Sequence, residues 1–585
     1  MPQFSPFASA QRARFRLRAL YDRVVHQHAS SRTSNGLTAV IAGCARNAAP
    51  HLPGVLRNIE GLASLYDRCA FVFVENDSTD NTRTILEDWT GMRRNAHLVA
   101  FAGNSKDYPK RTARLARARN SYLDFIRISP YSKFDHLIVM DLDDVNAAPL
   151  PLTGARTAIE YLCESPSRRA VFANALPAYY DIWALRHASW CPDDCWSGFT
   201  PGGDITLDDW ATREVFPRQR FIPSDRAAIP VQSAFGGLGI YRMNSALASR
   251  YAGISELGGE YCEHVSFNRG VAQEGELAVI PALMVTAPPA HLAPALAQLP
   301  AATELVLDQD GYVCRLLSPA THPLARYRKE HPLYDRRLPL LARLVGEASP
   351  DQVIVDVGAN IGDTIALCRL AGCHAPMIAV EPSAQYWTFL DANVRAQPEL
   401  FANVRCVNAF IGSPNSQYEL VEDRGTAHIT RSRESSAGNL PRVPTYSFEM
   451  LNGGAVSMIK IDTDGFDAAI LKQNLAFLAR ERPIVWAEAD TRDAADAQEW
   501  SDALIELTAI YQWVCVFDNF GFLITRGELS QKTQLINDLI SYTRRHKAAP
   551  SDAAGEPRIY YLDLAFFPAA REDVYSQFVQ NLREA

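Results

Sequence analysis

The chain has 585 residues, of which 47% are hydrophobic and 21% are charged, and its formal net charge at pH 7 is −8. This length predicts two or more domains, each with its own hydrophobic core. The acidic balance argues against a nucleic-acid-binding protein, which would need a basic face for phosphate contacts. We also expect neither a signal peptide nor a membrane-spanning segment, because the apolar runs are too short, and the 11 scattered cysteines indicate a reduced, cytoplasmic protein.

Residues 11–28 are an exception to the acidic balance. Apolar residues recur there at helical spacing, and they are surrounded by Arg12, Arg14, Arg16, Arg18 and Arg23. One interpretation is a solvated arm or a helix that packs on its own domain. The other is a helix that rests peripherally on anionic lipid at the inner face of the membrane. The narrow apolar stripe favours the first, and we assign residues 1–34 to a basic N-terminal arm.

Three β-rich runs follow, at residues 37–47, 69–77 and 134–144, and polar periodic segments separate them. This alternation predicts an α/β layer with a parallel sheet. The third run, "FDHLIVMDLDD", places Asp141, Asp143 and Asp144 at the end of a buried strand, where like charges are costly unless a cation is present. A D-x-D in that position can hold a divalent ion against a nucleotide diphosphate, although aspartates also start turns and cap helices.

Other charged residues of this half fit the same chemistry. Glu75 and Asp77 follow the second run, where carboxylates can receive the base and ribose of a nucleotide. Arginines suit a diphosphate, and the segment before the D-x-D supplies Lys110, Arg111, Arg114, Arg117 and Arg119. Far downstream, His264 follows Glu263 and is a candidate to complete a metal shell. An arginine-rich helix taken alone is more often a solvated face.

The motifs "VENDSTDNT", "ARN", "DLDD", "YYDIWALR", "FGGLGIY" and "CEHV", in this order, resemble the GT-A glycosyltransferases. More narrowly, they are similar to the fungal capsule-associated α-1,3-mannosyltransferase-like group. The resemblance implies a nucleotide-sugar donor, a glycan or lipid-linked glycan acceptor, and a Mn²⁺ or Mg²⁺ ion. It implies that Asp143 is a direct metal ligand, joined by Asp141 and His264. It places in the nucleotide-sugar site Glu75, Asp77, Arg117, Arg119 and Asp141.

A general base is needed in this half if the reaction inverts the anomeric carbon. Glu263 is one candidate, and Asp208 and Asp209 are others. The pocket for the sugar or the acceptor would be shaped by Asp181, Trp183 and Arg186. We assign the GT-A domain to residues 35–298, because the composition then changes to the Ala- and Pro-rich stretch "APPAHLAPALAQLPAA", which is typical of a joint.

Residues 299–585 begin a second alternating series. Its predicted strands are 353–357, 376–380, 404–407, 456–461, 484–488, 512–517 and 559–566. They predict a doubly wound sheet of seven strands that ends in an antiparallel pair. The fold class is therefore α/β, with two Rossmann-like α/β domains.

The segment "VIVDVGANIGDT" runs from the first of these strands into a glycine-rich turn. Gly358 and Gly362 allow a tight turn and close approach of a ligand. Glu381 ends the next strand, where an acid suits two ribose hydroxyls. The middle glycine of the dinucleotide pattern is missing, so an adenosyl ligand without phosphate fits better than a nicotinamide dinucleotide. Acids also follow two later strands, at Asp462 and Glu488.

Six motifs in order, "VDVGANIGDT", "EPS", "VNAFIG", "KIDTDGFD", "WAEAD" and "YYLDLAFF", resemble the FkbM family of S-adenosylmethionine-dependent methyltransferases over roughly residues 320–567. The resemblance implies a class I methyltransferase sheet and methylation of a hydroxyl, often on a sugar or a polyketide. It implies that the cofactor is bound by Asp356, Gly358, Asn360, Gly362, Glu381 and Asn408. Where the family often has an E-G pair, this chain has Asp464–Gly465.

A weakly acidic hydroxyl needs a base or a metal for methylation. Asp462 is the candidate base, with Glu488 beside it, and a divalent-ion pair at the same two residues is the alternative. His428 is a weaker candidate.

The sequence thus predicts a cytoplasmic bifunctional enzyme of glycan or glycolipid assembly. It would transfer a sugar and O-methylate a sugar hydroxyl, and tethering would raise the effective concentration of the shared product. The first alternative is that one domain is catalytic and the other is a glycan-recognition module. Two further alternatives are a nicotinamide-dependent oxidoreductase in the second half and a membrane-associated scaffold without enzymatic activity.

Overall fold

The computed structural model describes residues 36–256, 258–331, 333–412, 418–423, 426–431, 443–451, 454–548 and 559–584. The predicted arm and the side chain of His428 lie outside the described part. The described chain divides into two compact units, one ending at Leu299 and the other beginning at Pro300. Among the helices described, none combines the length and the apolar character needed to cross a bilayer.

The strands of the first unit are β1 (Thr38–Ala45), β2 (Arg68–Asn76), β3 (Ala96–Phe101), β4 (His136–Met140), β5 (Arg168–Leu176), β6 (Ile229–Val231), β7 (Leu238–Arg242) and β8 (Glu276–Thr286). Its helices are α1 (Leu52–Ala63), α2 (Thr82–Gly91), α3 (Asn104–Asp107), α4 (Arg111–Ile128), α5 (Leu152–Glu164), α6 (Leu207–Glu214), α7 (Met243–Leu247), α8 (Glu263–Val271) and α9 (Pro294–Ala297). Short 3₁₀ turns occur at Pro130–Lys133, Asp144–Asn146, Phe216–Arg218, Ala272–Glu274 and Pro289–His291.

The described strands of the first unit form one mixed sheet in the order β3-β2-β1-β4-β7-β5-β8-β6. β1, β2, β3 and β4 are mutually parallel, whereas β7 is antiparallel to both β4 and β5. Every residue of β4 is buried, as expected for a central strand covered on both faces. Along β1, Val40 packs into the core on one face of the sheet and Ile41 packs into the core on the other face. Both faces of the sheet are therefore covered, as the alternation of side chains along a strand requires.

The strands of the second unit are β9 (Ala302–Gln309), β10 (Tyr312–Pro319), β11 (Val353–Val357), β12 (Met377–Val380), β13 (Val404–Val407), β14 (Phe410–Ile411), β15 (Tyr418–Asp423), β16 (Thr426–Arg431), β17 (Thr445–Tyr446), β18 (Val456–Ile461), β19 (Ile484–Ala489), β20 (Trp513–Asp518), β21 (Leu523–Glu528) and β22 (Leu562–Phe567). Its helices are α10 (Leu324–Glu330), α11 (Arg337–Ala348), α12 (Asp363–Leu370), α13 (Ala384–Ala396), α14 (Asp467–Gln473), α15 (Leu475–Glu481), α16 (Ala494–Leu507), α17 (Leu529–Ala548) and α18 (Glu572–Glu584). Two 3₁₀ turns lie at Phe448–Leu451 and Ala569–Arg571.

The main sheet of this unit has the order β13-β12-β11-β18-β19-β22-β20-β21. Its first five strands are parallel, and β22 lies antiparallel between β19 and β20. Two large, mainly parallel sheets confirm the α/β class and the two Rossmann-like domains. The prediction of seven strands was wrong by one. The additional edge strand β21 is only partly buried along its length, so it lacks the continuous apolar run that reveals the central strands.

The sequence-based prediction also missed the hairpin of β9 and β10. It directly follows the segment interpreted as a joint, yet β9 alternates buried and exposed residues. In the sequence this alternation is hidden, because the exposed Val306 is as apolar as the buried Leu305 and Leu307 beside it.

Candidate active sites

The first unit contains a cavity of about 630 Å³ beyond the carboxyl end of β4, and the three aspartates of the D-x-D segment line it. The amide of Asp141 donates to the carbonyl of Gly237 (2.9 Å), and the side-chain amide of Asn146 donates to the carbonyl of Asp141 (2.9 Å). These bonds fix the turn after the strand. Desolvation by the surrounding protein, together with Asp141 and Asp144, raises the pKa of Asp143 to about 7. A cation in the cavity would relieve this repulsion.

Arg119 joins two of the predicted residues beside this cavity. Its guanidinium lies 2.8 Å from the Asp141 carboxylate and 3.1 Å from the Glu263 carboxylate. Arg119 is 3% exposed and Glu263 is 4% exposed, so the pair is desolvated. A carboxylate held in this way is a poor general base, and Glu263 is better placed to orient Arg119. Asp208 also lines the cavity, and it makes no ion pair with any described residue.

His264 lines the same cavity and is 4% exposed. Its ring stacks on Phe235 with 3.6 Å between centroids, and neither ring nitrogen has a hydrogen-bond partner among the described residues. Burial, and then Arg119, lower the pKa of His264 well below its ordinary value. A neutral imidazole with free nitrogens is suited to bind a metal. Within the described ranges, however, no three His, Cys, Asp or Glu side chains form a ready-made metal site.

The two predicted nucleotide carboxylates support loops in this structure. Glu75 accepts from the amide of Ser78 (3.0 Å). Asp77 accepts from the amide of Gly103 and from both the amide and the hydroxyl of Ser105, and the bonds from Ser105 lower its pKa. Neither carboxylate lines the cavity, whereas the intervening Asn76 does.

The arginines of α4 divide between two faces of the helix. Arg111 and Arg114 line the cavity, and Arg46 joins them from the end of β1. Arg117 is exposed and lies over the ring of Tyr108 at 5.0 Å. The structure therefore does not bring Arg117 to the cavity as predicted, because the helical period turns it to another face. Arg46 was not singled out, since it follows a strand rather than forming part of the arginine-rich segment.

The second unit contains a cavity of about 810 Å³ beyond the carboxyl ends of its parallel strands. The glycine-rich turn after β11 forms one wall. Gly358 has φ +77°, and a Cβ there would collide with the carbonyl oxygen of Asp462. Gly362 has φ +86° and precedes the start of α12. Gly358 and Asn360 line the cavity, whereas Gly362 lies outside its lining.

Glu381 lies where the sequence predicted, at the end of β12 and on the cavity wall. It is 4% exposed and accepts from the amides of Asn360 and Ser383, both at 2.8 Å. Burial raises its pKa to about 7, although these bonds oppose the shift. The side-chain oxygen of Asn360 is buried without a described partner. Asn408 instead donates to the carbonyl of Glu381 (2.7 Å) and does not line the cavity.

Lys460, which was not among the predicted site residues, connects the turn to the acids that follow its own strand, β18. It is 4% exposed. Its ammonium lies 3.0 Å from the Asp356 carboxylate and 3.4 Å from the Asp462 carboxylate, and it donates to the carbonyl of Gly358 (2.9 Å). Asp356 does not line the cavity, so its predicted contact with a cofactor is replaced by an indirect one through Lys460.

Carboxyl groups are frequent in the lining of this cavity, among them Asp335, Asp462, Asp464, Glu488 and Asp563. Glu488 is 9% exposed, and no described residue makes a hydrogen bond or ion pair with its carboxyl group. Burial, and then Asp462 and Asp464, raise the pKa of Glu488 well above its ordinary value. The fully buried Asp467 has a different role, since it accepts from the hydroxyl of Thr463 and the amide of Glu488. It holds the loop after β18 against β19.

No curated protein matches the chain in sequence. Similar solved structures include the mannosyltransferase PcManGT from Pyrobaculum calidifontis in complex with GDP-Man and Mn²⁺, at 14% identity, 48% coverage of this chain, 67% coverage of that chain and a TM-score of 0.27. Glucosyl-3-phosphoglycerate synthase from M. tuberculosis is similar at 16% identity, with coverages of 43% and 72% and a TM-score of 0.25. Methyltransferase FkbM from Methylobacillus flagellatus is similar at 13% identity and a TM-score of 0.21, with coverages of 37% and 44%, so less than half of that chain is spanned.

Residues 356–522 match the family model of the Methyltransferase FkbM domain. The matched segment begins in β11 and contains the glycine-rich turn, Glu381, Lys460 and Glu488. The predicted resemblance is confirmed for this half, and the second unit contains an FkbM-type methyltransferase domain.

Proposed function

We propose that the chain is a bifunctional enzyme of glycan assembly. The first unit transfers a sugar from a nucleotide-sugar donor, and the second O-methylates a sugar hydroxyl with S-adenosylmethionine. The observation that carries the proposal is the presence of two cavities at the carboxyl ends of parallel strands, one with arginines beside a D-x-D segment and one with a glycine-rich turn beside Glu381. In open α/β sheets ligands bind at such positions.

The second cavity has groups that fit S-adenosylmethionine. Glu381 would accept from the ribose hydroxyls, and the buried, unpartnered oxygen of Asn360 would accept from a donor of the same ligand. When bound, the cofactor supplies the methyl group as an electrophile. Lys460 would hold the turn at Gly358 in the position that the ligand needs. The FkbM match supports this cofactor over the nicotinamide alternative.

Asp462 is the proposed base of the second unit. It lies at the end of β18, where its side chain is 43% exposed and its carboxylate lies 3.4 Å from the Lys460 ammonium. The neighbouring Glu488 has a raised pKa and suits a hydrogen-bond donor to the acceptor sugar better than a base. Proton removal from the hydroxyl and alignment of the acceptor oxygen are the two tasks left to this chain.

In the first unit, Arg46, Arg111 and Arg114 would bind the diphosphate. Asp143, Asp141 and His264 are the proposed ligands of Mn²⁺ or Mg²⁺. Diphosphate oxygens would complete the shell, because the described side chains do not form a three-ligand group by themselves. Asp208 is the proposed base for an inverting reaction. A cytoplasmic location is proposed on the scatter of the 11 cysteines along a large chain.

Thermal shift of the full chain tests both sites. We expect one nucleoside diphosphate sugar to stabilise only with Mn²⁺, and S-adenosylhomocysteine to stabilise without metal. Asp143→Asn should abolish the first shift alone, and Glu381→Ala the second alone. If only one class of ligand shifts the melting temperature, one unit is a recognition module and the bifunctional proposal fails.

A further inference from the structure

Arg337 is a buried cation in the lining of the second cavity. The residue is 9% exposed. Its Nε donates to the carbonyl of Gly521 (3.2 Å), and its side chain makes no other hydrogen bond and no ion pair with the described residues. Nη1 and Nη2 therefore have no partner there. Arginine is seldom buried unless it is paired, because an uncompensated charge is costly in a protein interior. These properties fit a residue that binds an anionic ligand.

The start of α11 favours the same kind of ligand. Leu338 lines the cavity beside Arg337, so the first turn of this 12-residue helix faces the cavity. No side chain caps the helix, and its first turn contains no acidic residue. The amides of Arg337 and Leu338 donate to no described residue. The positive end of a helix attracts anions, and it is an unfavourable position for an arginine unless an anion binds there.

The other cations of the lining are placed differently. Lys460 is held by Asp356, by Asp462 and by the carbonyl of Gly358. Arg326 has a side chain that is 65% exposed, and it pairs with Glu330 at 3.9 Å. Among the described lysines and arginines of the lining, only Arg337 combines burial with the lack of a carboxylate partner.

The Arg337 guanidinium lies away from the cofactor end of the cavity. Burial lowers the pKa of Arg337, and no charged group contributes to the shift. By contrast, burial and then Asp363 raise the pKa of Asp335 to about 7, and Asp363 begins α12 directly after the glycine-rich turn. Arg337 instead contacts Gly521, in the turn between β20 and β21. In the sheet, β18, β19 and β22 separate β20 from β11, which carries the glycine-rich turn.

We propose that Arg337 and the start of α11 bind an acidic group of the methyl acceptor, so that the substrate of methylation is an acidic glycan. The group is a carboxylate, as in a uronic acid, or a phosphate ester, because either presents two oxygens to the free Nη1 and Nη2. This inference rests on the proposed function and adds the chemical class of the acceptor.

Arg337 determines specificity and takes no part in the transfer itself. The acceptor oxygen bonds to the methyl carbon as the carbon–sulfur bond breaks. The electron pair of that bond stays on sulfur, which leaves as the thioether, and the hydroxyl proton passes to the Asp462 carboxylate.

The test measures release of S-adenosylhomocysteine by the full chain with four acceptors that share one hexose. They are the methyl hexopyranoside, the methyl hexuronoside, the methyl hexopyranoside 6-phosphate and the hexose 1-phosphate, each in a mannose, a glucose and a galactose series. We expect kcat/KM for an acidic acceptor to exceed that for its neutral partner by at least about tenfold, the effect of one hydrogen bond to a charged group. The uronoside and the phosphates distinguish the two kinds of acidic group.

If the neutral acceptor is methylated as well as its acidic partners or better in every series that reacts, the inference is overturned and sugar methylation stands. If no sugar of any series is methylated although S-adenosylhomocysteine binds, the proposed function fails with it.

Two arginine variants localise the effect. Arg337→Met should raise KM for the acidic acceptor by at least about tenfold and leave KM for the neutral acceptor unchanged, a selective loss that a purely structural role would not produce. Arg326→Met is the matched control, because Arg326 lines the same cavity but is exposed to solvent. It should leave the ratio of the two kcat/KM values nearly unchanged.

Calorimetric titration with S-adenosylhomocysteine is the second readout, and Arg337→Met should leave this affinity unchanged. If the variant loses affinity for S-adenosylhomocysteine and keeps its preference for the acidic acceptor, Arg337 binds the carboxylate of the cofactor and the inference is wrong. Should Arg337→Met not fold, Arg337→Lys and the wild-type comparison decide. The lysine keeps the charge without the two-nitrogen fork, so it should retain only part of the preference.

Discussion

The ammonium of Lys460 lies 3.0 Å from the Asp356 carboxylate, and both side chains are almost completely buried. Burial raises the pKa of Asp356 to about 6, while Lys460 opposes the shift. Although burial lowers the pKa of Lys460, Asp356 and Asp462 raise it above its ordinary value. The pair is therefore charged near neutral pH, and it links the cofactor turn to the proposed base.

Lys460→Met should destabilise the second unit by about 3 kcal/mol or more, because it leaves the Asp356 carboxylate buried without its partner. Binding of S-adenosylhomocysteine should also weaken, since the carbonyl of Gly358 loses its donor. Urea denaturation and calorimetric titration measure the two effects. Adding Asp356→Asn should recover part of the stability. Lys472→Met, at a half-exposed lysine paired with Asp502, should change neither property, and equal effects of the two lysine variants would refute the role of Lys460.

Gly358→Ala should abolish binding of S-adenosylhomocysteine and lower stability by several kcal/mol, because the new Cβ collides with the Asp462 carbonyl as well as straining the backbone. Gly311→Ala is the matched control. Gly311 also has a positive φ, +84°, but nothing lies within 4 Å of its Cβ position. Gly311→Ala should therefore lower the free energy of unfolding by only about 1–2 kcal/mol, through conformational strain. A similar loss of ligand affinity in both variants would show that the close approach at Gly358 is unimportant.

Stability of the second unit should fall as the pH rises. Burial raises the pKa of Asp335 to about 7 and that of Glu381 to about 7, whereas carboxyl groups of an unfolded chain titrate near ~4. Between these values the folded state binds more protons than the unfolded state. The contribution of these two carboxyl groups to the free energy of unfolding is thus complete below about pH 4, and it is lost as the pH rises through about 7.

Calorimetry from about pH 5 to about pH 8 measures how the melting temperature depends on pH. Asp335→Asn should reduce the fall of the melting temperature with rising pH. Asp310→Asn is the control, since Asp310 has the same φ of +54° as Asp335 but a side chain that is 72% exposed. A melting temperature that rises with pH would contradict the proposed protonation of these carboxyl groups.

Arg119→Met should remove the stabilisation by nucleotide sugar and Mn²⁺, because Asp141 loses the guanidinium that orients it. Leaving Glu263 buried and unpaired should also cost about 3–5 kcal/mol. Arg117→Met changes an exposed arginine of the same helix and should leave both properties unchanged. Should Arg117→Met lose the nucleotide sugar and Arg119→Met retain it, the assignment of the cavity would be wrong.

The sequence predicted the central strands well for a physical reason. Residues 353–357 and 456–461 are strands with those same bounds in the structure, because each is a short apolar run between turn-forming residues. The edge strand β21 and the hairpin of β9 and β10 are only partly buried, and their apolar signal is correspondingly weak.

The candidate sites were predicted where chemistry follows directly after a strand, as at Asp141, Glu381 and Asp462. Asp335 precedes the first predicted strand of its domain and Asp563 lies inside a predicted strand rather than after it, so both were missed. Arg46 was missed although it directly follows β1, because it is a single arginine outside the arginine-rich segment. Lys460 was missed for another reason. A lysine in an apolar strand reveals its partners only when the neighbouring strand is known, and β11 supplies Asp356 at the paired position.

Native mass spectrometry of the full chain, with S-adenosylhomocysteine, a nucleoside diphosphate and Mn²⁺ present together, tests whether both sites bind their ligands in one molecule. We expect a species that carries one molecule of each ligand. Glu381→Ala should remove only the homocysteine ligand, and Asp143→Asn only the nucleotide. Competition between the two ligands, or binding of just one of them, would contradict the account of two working sites in one chain.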